Sequence, residues 1–95
     1  MEFKISDVDI HPHLRARMNQ RGVSEAEIEQ AMNSGEPALD AKAGSFGRRI
    51  VFPYNSEWEG QIYAEKEVTV YYKIIDQEIV LLTVIARYGE AFSQR

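Results

Sequence analysis

Three basic side chains in one short segment have types and a spacing that would suit phosphodiester cleavage. His13, Arg17 and Arg21 follow one another at four-residue intervals within "HPHLRARMNQRG" at 11–22, and residues four apart on a helix are neighbours on one face. Histidine exchanges protons near neutral pH, and arginine can hold phosphate oxygens through two hydrogen bonds. The three residues therefore suit metal-independent cleavage of RNA, in which a base takes the ribose 2′-hydroxyl proton and an arginine stabilises the charged phosphorane.

The same residues also have a structural interpretation. Arg17 and Arg21 stand near the end of the predicted helix, where positive charge is favourable, and they could pair with the acidic helix that follows. His13 could be a half-buried aromatic side chain, and His11, directly before Pro12, is expected to be a cap or turn residue. The residue types alone leave both interpretations open.

The composition limits the possible classes of protein. The chain has 95 residues, no cysteine and a net charge of −4, which predicts one domain and excludes disulfides, thiolate nucleophiles and cysteine zinc sites. The acidity argues against a protein that coats nucleic acid without selectivity. The charge is uneven, because residues 1–23 carry +1 and residues 41–55 carry +3, whereas residues 24–40 carry −5. The two basic segments could meet as one patch or belong to a mixed, solvated surface.

Several functional classes have no support in the sequence. The N-terminal "MEFKISDVDI" lacks the pattern of a signal peptide, and no apolar run is long enough to span a bilayer. We therefore expect a cytoplasmic protein without membrane contact. His11 and His13 have no third ligand cluster nearby, so no metal is expected, and no cofactor motif is present. The segment after Gly22 carries several glutamates, which makes DNA recognition by a second helix unfavourable.

Two helices should position the basic residues. Pro12 suits the first position of a helix, and Gly22 is a typical left-handed end. Ser24 and Glu27 form the S-x-x-E capping box of a second helix, which should end at Gly35.

The helical wheel places the basic residues beside the apolar stripe of the first helix. Leu14 and Met18 form that stripe. Arg21, Arg17 and His13 lie about 20°, 60° and 100° to one side of Leu14 at 100° per residue. The basic residues should therefore follow the margin between this helix and the layer beneath it.

The rest of the chain predicts strands. The alternation of residues 2–6 and 46–54 indicates strands, and residues 55–65 are polar enough to form a loop. The runs at 66–75 and 78–88 are rich in β-branched and aromatic residues and should form a hairpin around Asp76-Gln77.

A two-residue turn in that hairpin fixes which side chains share a face. It would pair Tyr72 with Leu81, Val70 with Thr83, and Val68 with Ile85, and this face should lie under the helices. The opposite face would carry another set of side chains: Thr69, Tyr71, Lys73, Val80, Leu82 and Val84. The predicted fold class is α+β, with two N-terminal helices packed on one face of a three- or four-stranded antiparallel sheet.

The stretch "HLRARMNQRGVSEAEIEQAM" at 13–32 resembles the opening of the bacterial domains grouped as domain of unknown function 4258. The matching pattern is a histidine, an arginine-methionine pair four and five residues later, an arginine-glycine pair, and a serine that caps the second helix. The stretch "VLLTVIARYGE" at 80–90, with Thr83, is similar to the last strand of that family. Residues 36–65 have no counterpart in this resemblance.

The resemblance implies a single RelE-like domain over residues 1–95 and a toxin-type ribonuclease, with RNA and a cognate antitoxin as partners. His13 would then be the acid/base, Arg17 a phosphate contact and Thr83 a hydrogen-bonding residue of the site. The resemblance further implies that Arg21, Arg49 and Arg87 would contact the charged RNA backbone. The net charge of −4 departs from this pattern, because ribonuclease toxins of this kind are usually basic.

A non-catalytic interaction module is the alternative. The acidity of the chain and the apolar residues Val80, Leu82 and Val84 beside Tyr71 would suit a protein-binding face, including one that joins two copies as a homodimer.

Overall fold

The computed structural model describes residues 2–92. After a 3-10 turn at Asp7–Asp9 come two helices and four strands, namely α1 (Pro12–Arg21), α2 (Glu25–Ser34), β1 (Glu36–Pro37), β2 (Phe46–Trp58), β3 (Gln61–Ile75) and β4 (Glu78–Gly89). The strands form one antiparallel sheet in the order β1-β2-β3-β4. Helix α1 packs on β4, and α2 packs on β2 and β3. The predicted α+β architecture is confirmed, with four strands.

Both helices begin and end where the sequence predicts. The side chain of His11 caps α1 by accepting from Leu14 N, and Gly22 ends it in the left-handed conformation at φ 69°. The Ser24 capping box starts α2. Gly35 ends α2 with an extended backbone at φ −77°, so it is needed for space instead of conformation: a Cβ there would collide with the carbonyl oxygens of Ala31 and Arg49.

The prediction of a strand at residues 2–6 is wrong. This segment runs along α2 without regular structure, and its backbone bonds to helix side chains instead of to a strand. The amides of Phe3 and Ile5 donate to Asn33 Oδ1 at 2.7 Å and Glu29 Oε1 at 2.8 Å. Local alternation could not reveal these partners, because they lie more than twenty residues away.

The prediction of a loop at residues 55–65 is also wrong, because these residues form the end of a long hairpin. Trp58 pairs with Gln61 around a two-residue turn, and the pairing of β2 with β3 is irregular between Pro53 and Ser56. Glu59 and Gly60 both have positive φ, at 49° and 85°, which is typical of a type I′ turn. The polar composition concealed this turn, since most of the residues around it are exposed.

The hydrophobic core lies between the helices and the inner face of the sheet, which we define as the face that packs on α1 and α2. The buried core contains side chains from every layer: Leu14, Met18, Val23, Ile28, Ala31, Met32, Val68, Val70, Tyr72, Leu81 and Val84. The opposite side of the sheet is called the outer face below.

A β-bulge in β4 corrects the predicted register. Tyr72 pairs with Leu81 as predicted, but Tyr71 pairs with Thr83 and Val70 with Val84, so Leu82 is an extra residue in β4. A one-residue insertion reverses the orientation of every later side chain in the strand. Val84 therefore points into the core at 0% exposure, and Thr83, predicted beneath the helices, points to the outer face.

A buried lysine fixes the corner between the two helices on the sheet. Lys66 on β3 is 3% exposed. Its ammonium donates to Gly22 O and to Glu27 Oε1, the latter at 2.9 Å, and lies 5.6 Å from the ring centroids of Tyr54 and Tyr88. Because a buried charge needs such partners, this cluster fixes the direction in which α1 leaves the sheet.

Candidate functional site

The basic side of α1 remains accessible in the folded protein. His13 is exposed and Arg17 is half-buried, and they lie one helical turn apart. Arg17 Nη1 donates to Gln20 Oε1 at 2.7 Å, and within residues 2–92 it has no carboxylate partner. His13 likewise makes no hydrogen bond or ion pair in the described chain, and its ring stacks on His11 with centroids 6.1 Å apart. An exposed imidazole and an arginine without a carboxylate partner in these residues thus lie one helical turn apart.

His11 anchors the start of this helix to the sheet. Its Nδ1 accepts from Leu14 N at 3.2 Å, and its Nε2 lies 3.1 Å from Leu81 O. Because Nδ1 serves as an acceptor, the proton resides on Nε2 and is donated to the carbonyl of Leu81. His11 is thus the predicted cap, and its second bond holds the ring against which His13 stacks.

Arg21 belongs to the boundary between α1 and β4. Its Nη1 donates to Val84 O at 3.3 Å, and its own carbonyl accepts from the Tyr88 hydroxyl at 2.6 Å. The ion pair of this helix instead uses Arg15, whose Nη2 lies 3.3 Å from Glu25 Oε2 on the other side. The acidic second helix therefore does not neutralise the side that carries Arg17.

The other three predicted site residues do not join this group. Thr83, Arg49 and Arg87 belong to the outer face, whereas His13 and Arg17 belong to the helical layer. The bulge at Leu82 turns Thr83 to the outer face. The two arginines lie on that face because they pair across the strands with Thr69 and Glu67. The structure does not bring these three residues together with His13, since the sheet lies between them.

The two outer-face arginines flank a buried carboxylate. Glu67 is 3% exposed in its side chain and lies between Arg49 and Arg87, at 3.9 Å and 3.7 Å. Arg49 also lies 3.9 Å from Glu36. The two guanidiniums therefore compensate a charge that would be costly to bury alone, which gives them a structural role.

Thr83 lines a cavity of about 380 Å³ on the outer face together with Asp40, Lys42, Ser45, Tyr71 and Leu82. The Tyr71 hydroxyl lies 3.1 Å from each carboxylate oxygen of Asp40. Burial raises the pKa of Tyr71, the hydrogen bond to Asp40 and its negative charge raise it further, and Arg49 opposes this. Tyr71 therefore stays protonated and acts as the donor to Asp40.

The sequence analysis did not assign a role to Lys66, Glu67 or Asp40. For Lys66 and Glu67 a usable signal was present, because charged residues at adjacent positions of an apolar strand must each find a partner when the strand is buried. Asp40 carried no comparable signal, since its partner Tyr71 lies 31 residues away.

The chain matches no protein-family model, and no curated protein or solved structure is significantly similar to it. The resemblance to domain of unknown function 4258, and the RelE-like identity that it implies, stay predictions. Within the described residues, no group of three or more histidine, acidic or cysteine side chains is arranged to hold a metal ion. In the same part of the chain no helix combines the length and the apolar character needed to cross a membrane.

Proposed function

We propose that this protein binds RNA through the exposed side of α1 and cleaves it without a metal ion. In this proposal His13 is the acid/base and Arg17 holds the phosphate. The observation that carries it is the state of Arg17, which has no carboxylate partner in residues 2–92 and stands one turn from the exposed His13. An arginine without a carboxylate partner beside an exposed histidine can hold a phosphodiester and transfer the proton of the ribose 2′-hydroxyl.

The roles follow from what each side chain can do. His13 accepts the proton of the ribose 2′-hydroxyl, whose oxygen then attacks the adjacent phosphorus, and the resulting imidazolium protonates the leaving 5′-oxygen. Arg17 donates to the non-bridging oxygens as their charge grows. Arg21 contributes charge at longer range, since its guanidinium already donates to Val84 O. Thr83 has no part in this site, because it lies on the outer face.

The charge of α1 supports the proposal more than the net charge of the chain. The helix "PHLRARMNQR" contains three arginines and no acidic residue, whereas the whole protein carries −4. Local positive charge attracts phosphates and is screened by salt. The acidic flank of α2 would confine RNA to one side of α1, which suits a short contact instead of a long nucleic-acid groove.

The binding part of the proposal can be tested with RNA that cannot be cleaved. A fluorescent 2′-O-methyl oligoribonucleotide would be titrated by anisotropy at several salt concentrations. Arg17→Gln should weaken binding and lower the dependence on salt by about one phosphate contact. Arg15→Gln is the matched control, because Arg15 is already paired with Glu25 on the other side of the helix. Equal loss from both substitutions would contradict a site centred on Arg17.

A second candidate is a non-catalytic protein-interaction module, and a different surface now supports it. Val84 is buried and cannot contribute to the apolar outer face on which that hypothesis first rested. On the inner face, beyond the helices, Phe46 and Ile74 are 49% and 53% exposed, and in the β1–β2 loop Leu39 is 96% exposed. A homodimer or a complex with a cognate antitoxin would cover such side chains. Sedimentation as a monomer at high concentration would argue against the homodimer.

A further inference from the structure

The loop between β1 and β2 folds across the outer face and is held there at several points. Ala38 N donates to Gly47 O at 2.9 Å, and Ser45 N and Oγ both donate to Lys42 O, at 2.9 and 2.7 Å. The Tyr71 hydroxyl binds both carboxylate oxygens of Asp40. These bonds fix the loop as one wall of the cavity of about 380 Å³ described above.

Gly47 permits this close approach. A Cβ at Gly47 would lie 2.8 Å from Ala38 Cβ and 3.3 Å from the Tyr71 ring, closer than side chains normally tolerate. The loop therefore rests directly on the strand, and the cavity beside it is formed before any ligand arrives. Its volume lies within the range of about 300–1,000 Å³ typical of small-molecule sites.

The residues that line the cavity combine two opposite charges with an apolar wall. Asp40 provides a carboxylate held by Tyr71. Lys42 provides an ammonium that makes no ion pair within residues 2–92, and the Thr83 hydroxyl makes no hydrogen bond in the same part of the chain. Leu82 and the Tyr71 ring supply the apolar surface. A ligand that satisfies all of these groups must carry an anion, a cation and an aliphatic body.

We propose that this outer-face pocket binds a free α-amino acid with an aliphatic side chain. The carboxylate of the ligand would pair with Lys42, its ammonium with the remaining acceptor sites of Asp40, and its side chain would cover Leu82. A zwitterion matches the opposite charges of the two loop residues without leaving either unpaired. This inference is independent of the RNA proposal, because the pocket is separated from α1 by the sheet.

The test is a titration of the ¹⁵N-labelled protein with L-leucine, followed by amide chemical shifts. Two fragments of the ligand serve as probes of each charge: 4-methylpentanoate lacks the ammonium, and 3-methylbutylamine lacks the carboxylate. Leucine should give saturable shifts at Lys42, Leu82 and Thr83 amides. Each fragment should bind at least about tenfold more weakly than leucine, because one charged group of the site is left without its partner.

Substitutions assign the two contacts. Lys42→Gln should weaken leucine binding about tenfold and leave 3-methylbutylamine unchanged, and Asp40→Asn should weaken leucine while leaving 4-methylpentanoate unchanged. Lys73→Gln is the matched control, since Lys73 is an exposed lysine outside the pocket. The inference is overturned if leucine gives no saturable shift up to its solubility, or if either fragment binds as tightly as leucine.

Discussion

At the scale of single residues, His11 shows how a histidine can be structural beside one that is free. Its two ring nitrogens are used by Leu14 N and Leu81 O, so the ring is held at both ends. His11→Ala should lower the free energy of unfolding by about 1–2 kcal/mol, the usual effect of losing a cap, and loss of the hydrogen bond to Leu81 should lower it further. His11→Asn keeps the cap and should lower the free energy of unfolding by less.

Urea denaturation followed by circular dichroism would measure both variants of His11. His13→Ala is the matched control, because His13 is exposed and makes no hydrogen bond in the described chain. A loss from His13→Ala as large as that from His11→Ala would show that the helix depends on the ring stack instead of the cap.

Removing the charge of Lys66 should lower the free energy of unfolding by more than the loss of the His11 cap. The ammonium is buried, and its partners would be left unpaired. Lys66→Met keeps the apolar stem but removes the donor to Glu27 and Gly22 O. We expect a loss of about 2–4 kcal/mol in unfolding free energy, below the upper end for buried pairs because Glu27 is partly solvated. Adding Glu27→Gln to Lys66→Met should recover part of this loss.

The same denaturation measurements test the Lys66 prediction, with Lys73→Met as the exposed control. If the Lys66 and Lys73 variants were equally stable, the buried cluster would not be what fixes the α1–α2 corner.

Two tyrosines make stability depend on pH in the alkaline range. Burial raises the pKa of Tyr88 well above the usual value for a tyrosine, and the nearby Tyr54, Glu27 and Glu59 raise it further. The pKa of Tyr71 is raised as well. The unfolded chain therefore ionises first. The contribution of the two protonated tyrosines to the free energy of unfolding is present in full below pH 10. It is lost as pH rises from the pKa of these tyrosines in the unfolded chain through their higher pKa in the folded chain.

Urea unfolding of the wild type between pH 8 and about 11.5 should therefore show a fall in stability above pH 10. Tyr88→Phe should make that fall shallower, because it removes the hydroxyl whose pKa burial raises. Parallel curves for the wild type and Tyr88→Phe would contradict the attribution to Tyr88.

At the scale of elements, the hairpin turn between β3 and β4 has a second residue, Gln77, that does not favour it. Asp76 and Gln77 have φ of 51° and 69°, the left-handed values of a type I′ turn in which glycine is preferred at the second position. Gln77→Gly should raise the unfolding free energy by about 0.5–1 kcal/mol, because strain in the left-handed conformation exceeds the entropy cost of glycine.

Thermal denaturation would measure the effect of Gln77→Gly. Gln30→Gly on the exposed side of α2 is the matched control and should lower stability by about 1 kcal/mol. A decrease for Gln77→Gly would mean that the side chain of Gln77 contributes more than its backbone conformation costs.

The elements differ in how far the sequence could predict them. Helices α1 and α2 were predictable from end to end, because caps and glycine stops are local signals that act within four residues. The N-terminal segment and the end of the β2–β3 hairpin were not, because their partners are distant in sequence. The bulge at Leu82 left no local mark either, yet it decides on which face Thr83 lies.

At the scale of the whole molecule, the sheet divides the predicted site into two surfaces. His13 is exposed, and Arg17 and Arg21, which the helical wheel places nearer the apolar stripe, are half-buried, so this part of the site was predictable from spacing. The positions of Arg49, Arg87 and Thr83 required the strand register, which the sequence could not supply. The free side of α1 and the outer-face pocket are therefore independent surfaces that can be altered one at a time.

The most direct test of the central claim is cleavage of a labelled oligoribonucleotide in the presence of a metal chelator. The wild type should cleave it to a 2′,3′-cyclic phosphate end and should not cleave the 2′-O-methyl analogue. His13→Ala should retain the wild-type circular dichroism spectrum and lower the rate by about 10²–10⁴-fold, the usual contribution of a general base. Absence of cleavage by the wild type, or equal rates for the wild type and His13→Ala, would contradict the account.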